Sequence, residues 1–163
     1  MLPRFQSVPV EIDTEDDMSR TARDVMTADP ACCSPQTTLD QVAKMMVLND
    51  CGEIPVIDSA NRPIGVITDR DIVCRVVADS KNPMAHTAEQ YMSQPVLTVE
   101  ADAAMDDVVA LMEKHQMRRA LVVDETGSCT GIIAQADLAW TDDAHDVAEL
   151  VREVSRDTGR ASK

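Results

Sequence analysis

The sequence predicts an α/β (α+β) fold in which one β-α-β-β-α unit is used twice. Three observations predict it. First, the chain matches itself at a shift of 66 residues: Met26 falls on Met92, Asp40 on Asp106, Val42 on Val108, Met46 on Met112, Val56 on Val122, Asp58 on Asp124, Gly65 on Gly131, Ile67 on Ile133 and Asp71 on Asp137. Conservative pairs fill the gaps (Thr27/Ser93, Leu39/Met105, Ile57/Val123, Val66/Ile132, Ile72/Leu138), and the register slips by one residue only around Pro30 and Pro95. A sustained period of this length marks repeated supersecondary units. Second, each copy carries apolar residues at i, i+3, i+4 and i+7, the stripe of an amphipathic helix: Leu39, Val42, Ala43, Met46 and Met105, Val108, Val109, Met112. Third, each copy has two short apolar runs around a turn-rich hexad or pentad, which reads as paired buried strands.

In chain order, residues 1–20 form an acidic tail, with Glu11, Asp13, Glu15, Asp16 and Asp17 in no periodic pattern. The first unit spans 21–79. It has an extended piece at Ala31–Cys33, the helix from Leu39, a strand Ile54–Ile57, a turn at Asp58–Pro63, a strand Ile64–Ile67 and a helix starting at Asp69. Residues 80–87, with Asn82–Pro83, read as a linker. The second unit, 88–141, repeats the series with Val96–Val99, the helix from Met105, strands Ala120–Val123 and Thr130–Ile133, and a helix starting at Ala136. In 142–163, Ala144, Val147, Leu150, Val151 and Val154 predict an amphipathic helix that needs a partner, before a polar tail at 158–163. A unit this small has too little core to stand alone, so the two copies must pack on each other.

Composition excludes several function classes. The formal net charge is −14 over 163 residues, which repels nucleic acid and anionic membranes. Phe5, Tyr91 and Trp140 are the only aromatics, too few for base-stacking platforms. No apolar run approaches a membrane span, and the first residues lack a signal-peptide pattern, so the expected location is cytoplasmic. The cysteines Cys32, Cys33, Cys51, Cys74 and Cys129 are odd in number and lack Cys-x-x-Cys spacing, and His86, His115 and His145 are scattered; no metal site is expected.

The stretch Gly65–Asp71 supports two readings. The end of a buried strand runs straight into a helix, with Thr68 at the N-cap position and Asp71 three residues later. Free N–H groups and the positive end of the helix dipole favour an anion there, and a carboxylate beside it suits ribose hydroxyls. The same pattern is a capping box, which only stabilises the helix.

The whole series resembles the CBS domain, named for cystathionine β-synthase. The similar elements are Asp24-Val25-Met26-Thr27…Pro30, the helix from Leu39, Gly52-Glu53-Ile54-Pro55-Val56-Ile57-Asp58 and Gly65 to Asp71. In the second copy they are Tyr91-Met92-Ser93…Pro95, Arg118 to Asp124 and Gly131 to Asp137, so the resemblance covers roughly residues 21–140. It implies tandem repeats packed with pseudo-two-fold symmetry, clefts between them, a homodimer, and a regulatory role without catalysis. It also implies an adenosyl ligand: AMP, ADP, ATP or S-adenosylmethionine. By the same resemblance Thr68 contacts phosphate and Asp71 the ribose, with Asp69 and Arg70 at the same helix start. Ile54 and Pro55 flank the adenine, and Cys32 and Cys33 lie on the strand that lines the base. Arg118 and Arg119 match phosphate-contact positions. In the second copy Asp137 keeps the ribose position, but Ala134 replaces the threonine. Gly52 and Glu53 replace the two arginines in the first copy, where a carboxylate repels phosphate. The plain alternatives for Arg118 and Arg119 are solvated charge or pairing with Glu113 and Asp124.

Two functions follow. One is a sensor that binds an adenosyl ligand between the repeats and acts on a regulated protein partner. The other is a ligand-free interaction module, favoured by Ala134 and Glu53. No nucleophile, phosphate-loop or metal constellation points to an enzyme.

Overall fold

The structure, a computed structural model, describes residues 20–138. The acidic tail, Phe5, Trp140, His145 and the C-terminal amphipathic helix lie outside the described residues. The chain begins with α1 (Ala22–Val25) and β1 (Thr27–Ala28), followed by α2 (Leu39–Leu48), β2 (Glu53–Ile57) and β3 (Pro63–Thr68). Helix α3 (Asp69–Ile72) continues as a π-helical stretch, Val73–Val77. A 3-10 turn at Pro83–Ala85 leads into α4 (Ala88–Tyr91). The second copy follows with β4 (Thr98–Glu100), α5 (Met105–His115), β5 (Arg119–Val123), β6 (Cys129–Ala134) and α6 (Gln135–Leu138). Both long helices begin at the expected residues. The extended pieces differ from expectation: only Cys33 of the first is bridged, in parallel to Val56, and the second is displaced to Thr98–Glu100.

The apolar stripes make two cores. Leu39, Val42 and Met46 pack with Ile54, Val56 and Ile67; Met105, Val108 and Met112 pack with Ala120, Val122 and Ile133. The turns between paired strands are built by the repeated aspartates. Asp58 Oδ1 accepts from the N–H of Ala60 (2.8 Å) and Arg62 (2.9 Å); Asp124 Oδ1 accepts from those of Thr126 (2.8 Å) and Ser128 (3.0 Å). Asx side chains replace backbone acceptors in this way at tight turns.

Each copy lends its leading segment to the other. Strand β1 pairs antiparallel with β6, Thr27 opposite Ile132, which completes a four-stranded sheet in the order β1-β6-β5-β4. The equivalent Ser93 is bridged to Val66 of β3. Ala22 N donates to Ala103 O (2.9 Å), Arg23 N to Ala101 O (2.8 Å) and Met105 N to Arg20 O (3.1 Å). The counterparts 66 residues along, Ala88 N to Thr37 O (2.8 Å), Glu89 N to Pro35 O (3.0 Å) and Leu39 N to His86 O (3.0 Å), run the other way. Ala22 is therefore buried in the second core, and Ala88 and Tyr91 in the first. This reciprocity is a pseudo-two-fold relation.

The exchange explains the repeated Met and Gly. Met26 lies on Gly131 and Met92 on Gly65: a Cβ at Gly65 would stand 2.7 Å from Met92 Cγ, and one at Gly131 2.8 Å from Met26 Cγ. Among the described residues no helix is long and apolar enough to cross a membrane.

Candidate functional site

Strand β3 ends at Thr68 and α3 starts at once, because Thr68 is extended (φ −107°, ψ 159°) and its side chain caps the helix. Thr68 Oγ1 donates to Asp71 Oδ2 (2.7 Å), Thr68 N donates to the same oxygen (3.0 Å), and Asp71 N donates to Thr68 Oγ1 (3.1 Å). The capping box is thus formed. The same box recurs at Thr21 and Asp24, and again at Thr87 with Gln90, outside the candidate site. Cap geometry alone therefore does not distinguish a ligand site from a helix start. In the second copy Ala134 has no hydroxyl, and among the described residues Asp137 Oδ2 accepts only from Ala134 N (2.7 Å).

Position in the molecule does distinguish Thr68 and Asp71. Glu53 is directly opposite Thr68 in the β2–β3 ladder, and Arg119 is opposite Ala134 in the β5–β6 ladder. Opposed residues project on one face, about 5 Å apart. Residues 53 and 119 are 66 apart, so they are equivalent positions, and they meet: Arg119 Nη1 lies 3.3 Å from Glu53 Oε2. This ion pair joins the two copies beside the Thr68–Asp71 cap. Arg119 is thus paired neither with Glu113 nor with Asp124, but with its own counterpart. Glu53 keeps only 11% of its side chain exposed. Burial raises its carboxyl above the usual range, Arg119 opposes that, and the negative charge of Asp71 reinforces it.

Asp71, 15% exposed, also holds Arg75, whose Nη1 is 3.3 Å from Asp71 Oδ1. Arg75 Nη1 donates to Tyr91 O (2.6 Å), so the site is tied to the second copy's leading helix. Arg75 is not among the residues the sequence motifs single out, although its place four residues after Asp71 on a helix is the spacing of an ion pair.

The remaining predicted residues are distributed unevenly. Asp69 and Arg70 are exposed at the helix start, and Asp69 Oδ1 accepts from Arg70 N (2.6 Å). Arg118 is exposed, and its carbonyl accepts from Gln135 N (2.9 Å). Ile54 is fully buried in the first core; Pro55 takes the other face of β2, and its carbonyl accepts from Cys33 N (2.9 Å). Cys33 is in the first core, where burial pushes its thiol up to about 11. Cys32 Sγ donates to Pro30 O (3.2 Å), and interaction with Cys129 of the second copy raises the Cys32 thiol and lowers that of Cys129.

Comparison with known proteins agrees with this architecture. The chain matches the CBS domain family over residues 22–78 and 88–140, and it belongs to that family as a tandem pair, a regulatory type of module. Hypoxic response protein 1 of Mycobacterium tuberculosis is 32% identical over 142 residues, 87% of this chain and 99% of that protein. A Methanopyrus kandleri protein is 38% identical over 116 residues, but this chain spans only 57% of its length. A crystal structure of Hypoxic Response Protein I with two coordinated zinc ions superimposes with a TM-score of 0.68 at 33% identity, covering 76% of this chain and all of that one. Among the described residues of this chain, no three His, Cys, Asp or Glu side chains are grouped to hold a metal ion. The CBS-domain pair of protein MJ0100, solved with 5′-methylthioadenosine and S-adenosyl-L-methionine, shares the fold at 24% identity (TM-score 0.66, covering 75% of this chain and 94% of that one).

Proposed function

We propose that this protein is a sensor that binds an adenosyl ligand (AMP, ADP, ATP or S-adenosylmethionine) between its two repeats and passes occupancy to a protein partner, without catalysis of its own. The ribose is held by Asp71, with Thr68, Asp69 and Arg70 at the same helix start and Arg119 reaching in from the other repeat. The observation that carries this reading is the meeting of the two copies beside the Thr68–Asp71 cap: the capping boxes at Thr21 and Thr87 are not flanked by a cross-repeat ion pair among the described contacts, and at the equivalent Ala134–Asp137 helix start, which the same pair also borders, the hydroxyl is missing. The adenosyl compounds bound by the structurally similar MJ0100 pair support the ligand class. Asp137 is a weaker second ribose position, since Ala134 brings no hydroxyl to it.

Ligand response requires that the bound state favour one arrangement of the two halves. The exchanged leading segments supply a coupling route, because Arg75 links the Asp71 carboxylate to the Tyr91 carbonyl. We also infer a homodimer. Val47 and Leu48 on α2 and Val73 and Val77 on the neighbouring helix are 81%, 83%, 56% and 58% exposed, an apolar surface suited to a second copy.

The test is calorimetric titration of the protein with each of the four ligands, alongside Asp71→Ala. Loss of hydrogen bonds to a charged acceptor costs about 1.5–3 kcal/mol, so affinity should fall by about ten- to a hundredfold, while Asp137→Ala has the smaller effect. The ligand-free reading is favoured by the Glu53–Arg119 pair, which already occupies the arginine. It predicts no saturable heat with any of the four ligands.

A further inference from the structure

We propose that Glu53 is a specificity-determining residue that selects against phosphate: the site takes adenosyl ligands whose 5′ arm is uncharged or cationic, such as a thioether or sulfonium nucleoside, over nucleoside phosphates. This rests on the adenosyl reading of the Thr68–Asp71 site given above. Glu53 faces Thr68 across the ladder, so its carboxylate stands next to the cap where a 5′ arm would lie. It is 11% exposed, which leaves little water to screen it. Its one ion-pair partner among the described residues is Arg119, at 3.3 Å, and that arginine is the cation a phosphate would need from the second copy.

The two least exposed carboxylates near the cap already have cationic partners. Glu53 takes Arg119, and Asp71 takes Arg75, whose second bond is to the Tyr91 carbonyl. Asp69 adds a further carboxylate, with Oδ2 3.1 Å from where a Cβ on Gly52 would be. A phosphate placed here adds negative charge to Glu53, Asp71 and Asp69, and it must draw Arg119 off a carboxylate that is only 11% exposed. Separating such a pair leaves one charge buried without a partner, which is strongly unfavourable. A thioether arm disturbs neither pair, and a sulfonium is attracted to the same carboxylates. The equivalent residue in the second copy is an arginine, so only the first copy presents this carboxylate at its cap.

The test is titration of the full chain and of Glu53→Gln with 5′-methylthioadenosine, S-adenosylmethionine, AMP and ATP. Glutamine keeps an oxygen to accept from Arg119 while removing the charge. The expected result is that AMP and ATP bind the natural protein more weakly than 5′-methylthioadenosine. In the variant they gain about tenfold or more, 5′-methylthioadenosine changes little and S-adenosylmethionine weakens. Equal affinity of the natural protein for 5′-methylthioadenosine and AMP, or an equal change for all four ligands in the variant, would overturn the inference while leaving the adenosyl site standing. Absence of binding by every ligand to both proteins would instead remove the adenosyl reading and this inference with it.

Discussion

Gly65 and Gly131 have a specific steric duty. Each is the floor on which a methionine of the other repeat rests, and Cγ of Met92 or Met26 would stand under 3 Å from an added Cβ. Gly65→Ala should therefore cost about 1–3 kcal/mol by overpacking, read from urea denaturation. Because methionine is flexible, much of that cost should vanish in the Met92→Ala background; additive effects would mean that the two residues do not press on each other. Glu53 gives a second residue-scale prediction, for pH. Its carboxyl lies above its usual 4.5, chiefly through burial. The folded state therefore holds the proton more tightly than the unfolded chain does. Its contribution to stability is greatest below pH 4.5 and falls as pH rises through the shifted value. Asp24, Asp40, Asp58 and Asp124 are shifted down instead, so theirs is lost as pH falls below 3.8. Denaturation midpoints against pH should thus show a decline on the alkaline side of 4.5 that is absent in Glu53→Gln. The repeat made Met26, Met92, Gly65 and Gly131 stand out in the sequence, but not that each Met serves the opposite Gly: a self-match reveals equivalent positions and says nothing of which copy they contact.

At the scale of elements, the same limit explains what the sequence hid. Helices α2 and α5 begin where their i, i+3, i+4, i+7 stripes begin, and β2, β3, β5 and β6 lie within a residue or two of the apolar runs. Those elements have a local cause. The pieces α1, β1 and α4 do not: they are two to four residues long and are held by bonds to the other copy, such as Ala22 N to Ala103 O. No hydrophobic period fits in so short a span. The exchange predicts crossed effects. Enlarging Ala22 to Val, at a fully buried position in the second core, should speed amide hydrogen exchange in β5 and β6 more than in β2 and β3. Ala88→Val should do the reverse. Faster exchange confined to the mutated residue's own repeat would contradict the exchange of leading segments. The cap illustrates a different limit: Thr68 and Asp71 were readable as both box and site, and the box is formed. What singles them out is Glu53 opposite Thr68 and Arg119 across the pseudo-two-fold, a juxtaposition that needs strand register and repeat packing together.

For the whole molecule, the repeated unit gives two sheets and two cores joined by exchanged segments, while the chemistry at the centre is not symmetric. One copy presents Thr68, Asp71 and Glu53; the other presents Ala134, Asp137 and Arg119. On the proposed reading, this asymmetry favours one strong ligand position rather than two. If the exposed Val73 and Val77 form a dimer surface, Val73→Asp with Val77→Asp should halve the mass measured by light scattering and leave the circular dichroism unchanged; an unchanged dimer would place the interface elsewhere. The central claim, an adenosyl ligand seated where the repeats meet, is tested most directly by amide chemical-shift mapping during titration with 5′-methylthioadenosine. The account predicts the largest shifts in the amides of Gly65 to Asp71 and of Glu53 and Arg119, with smaller ones at Ala134 to Asp137. Saturable shifts confined to α5 and β4, or none at all in the folded protein, would contradict it.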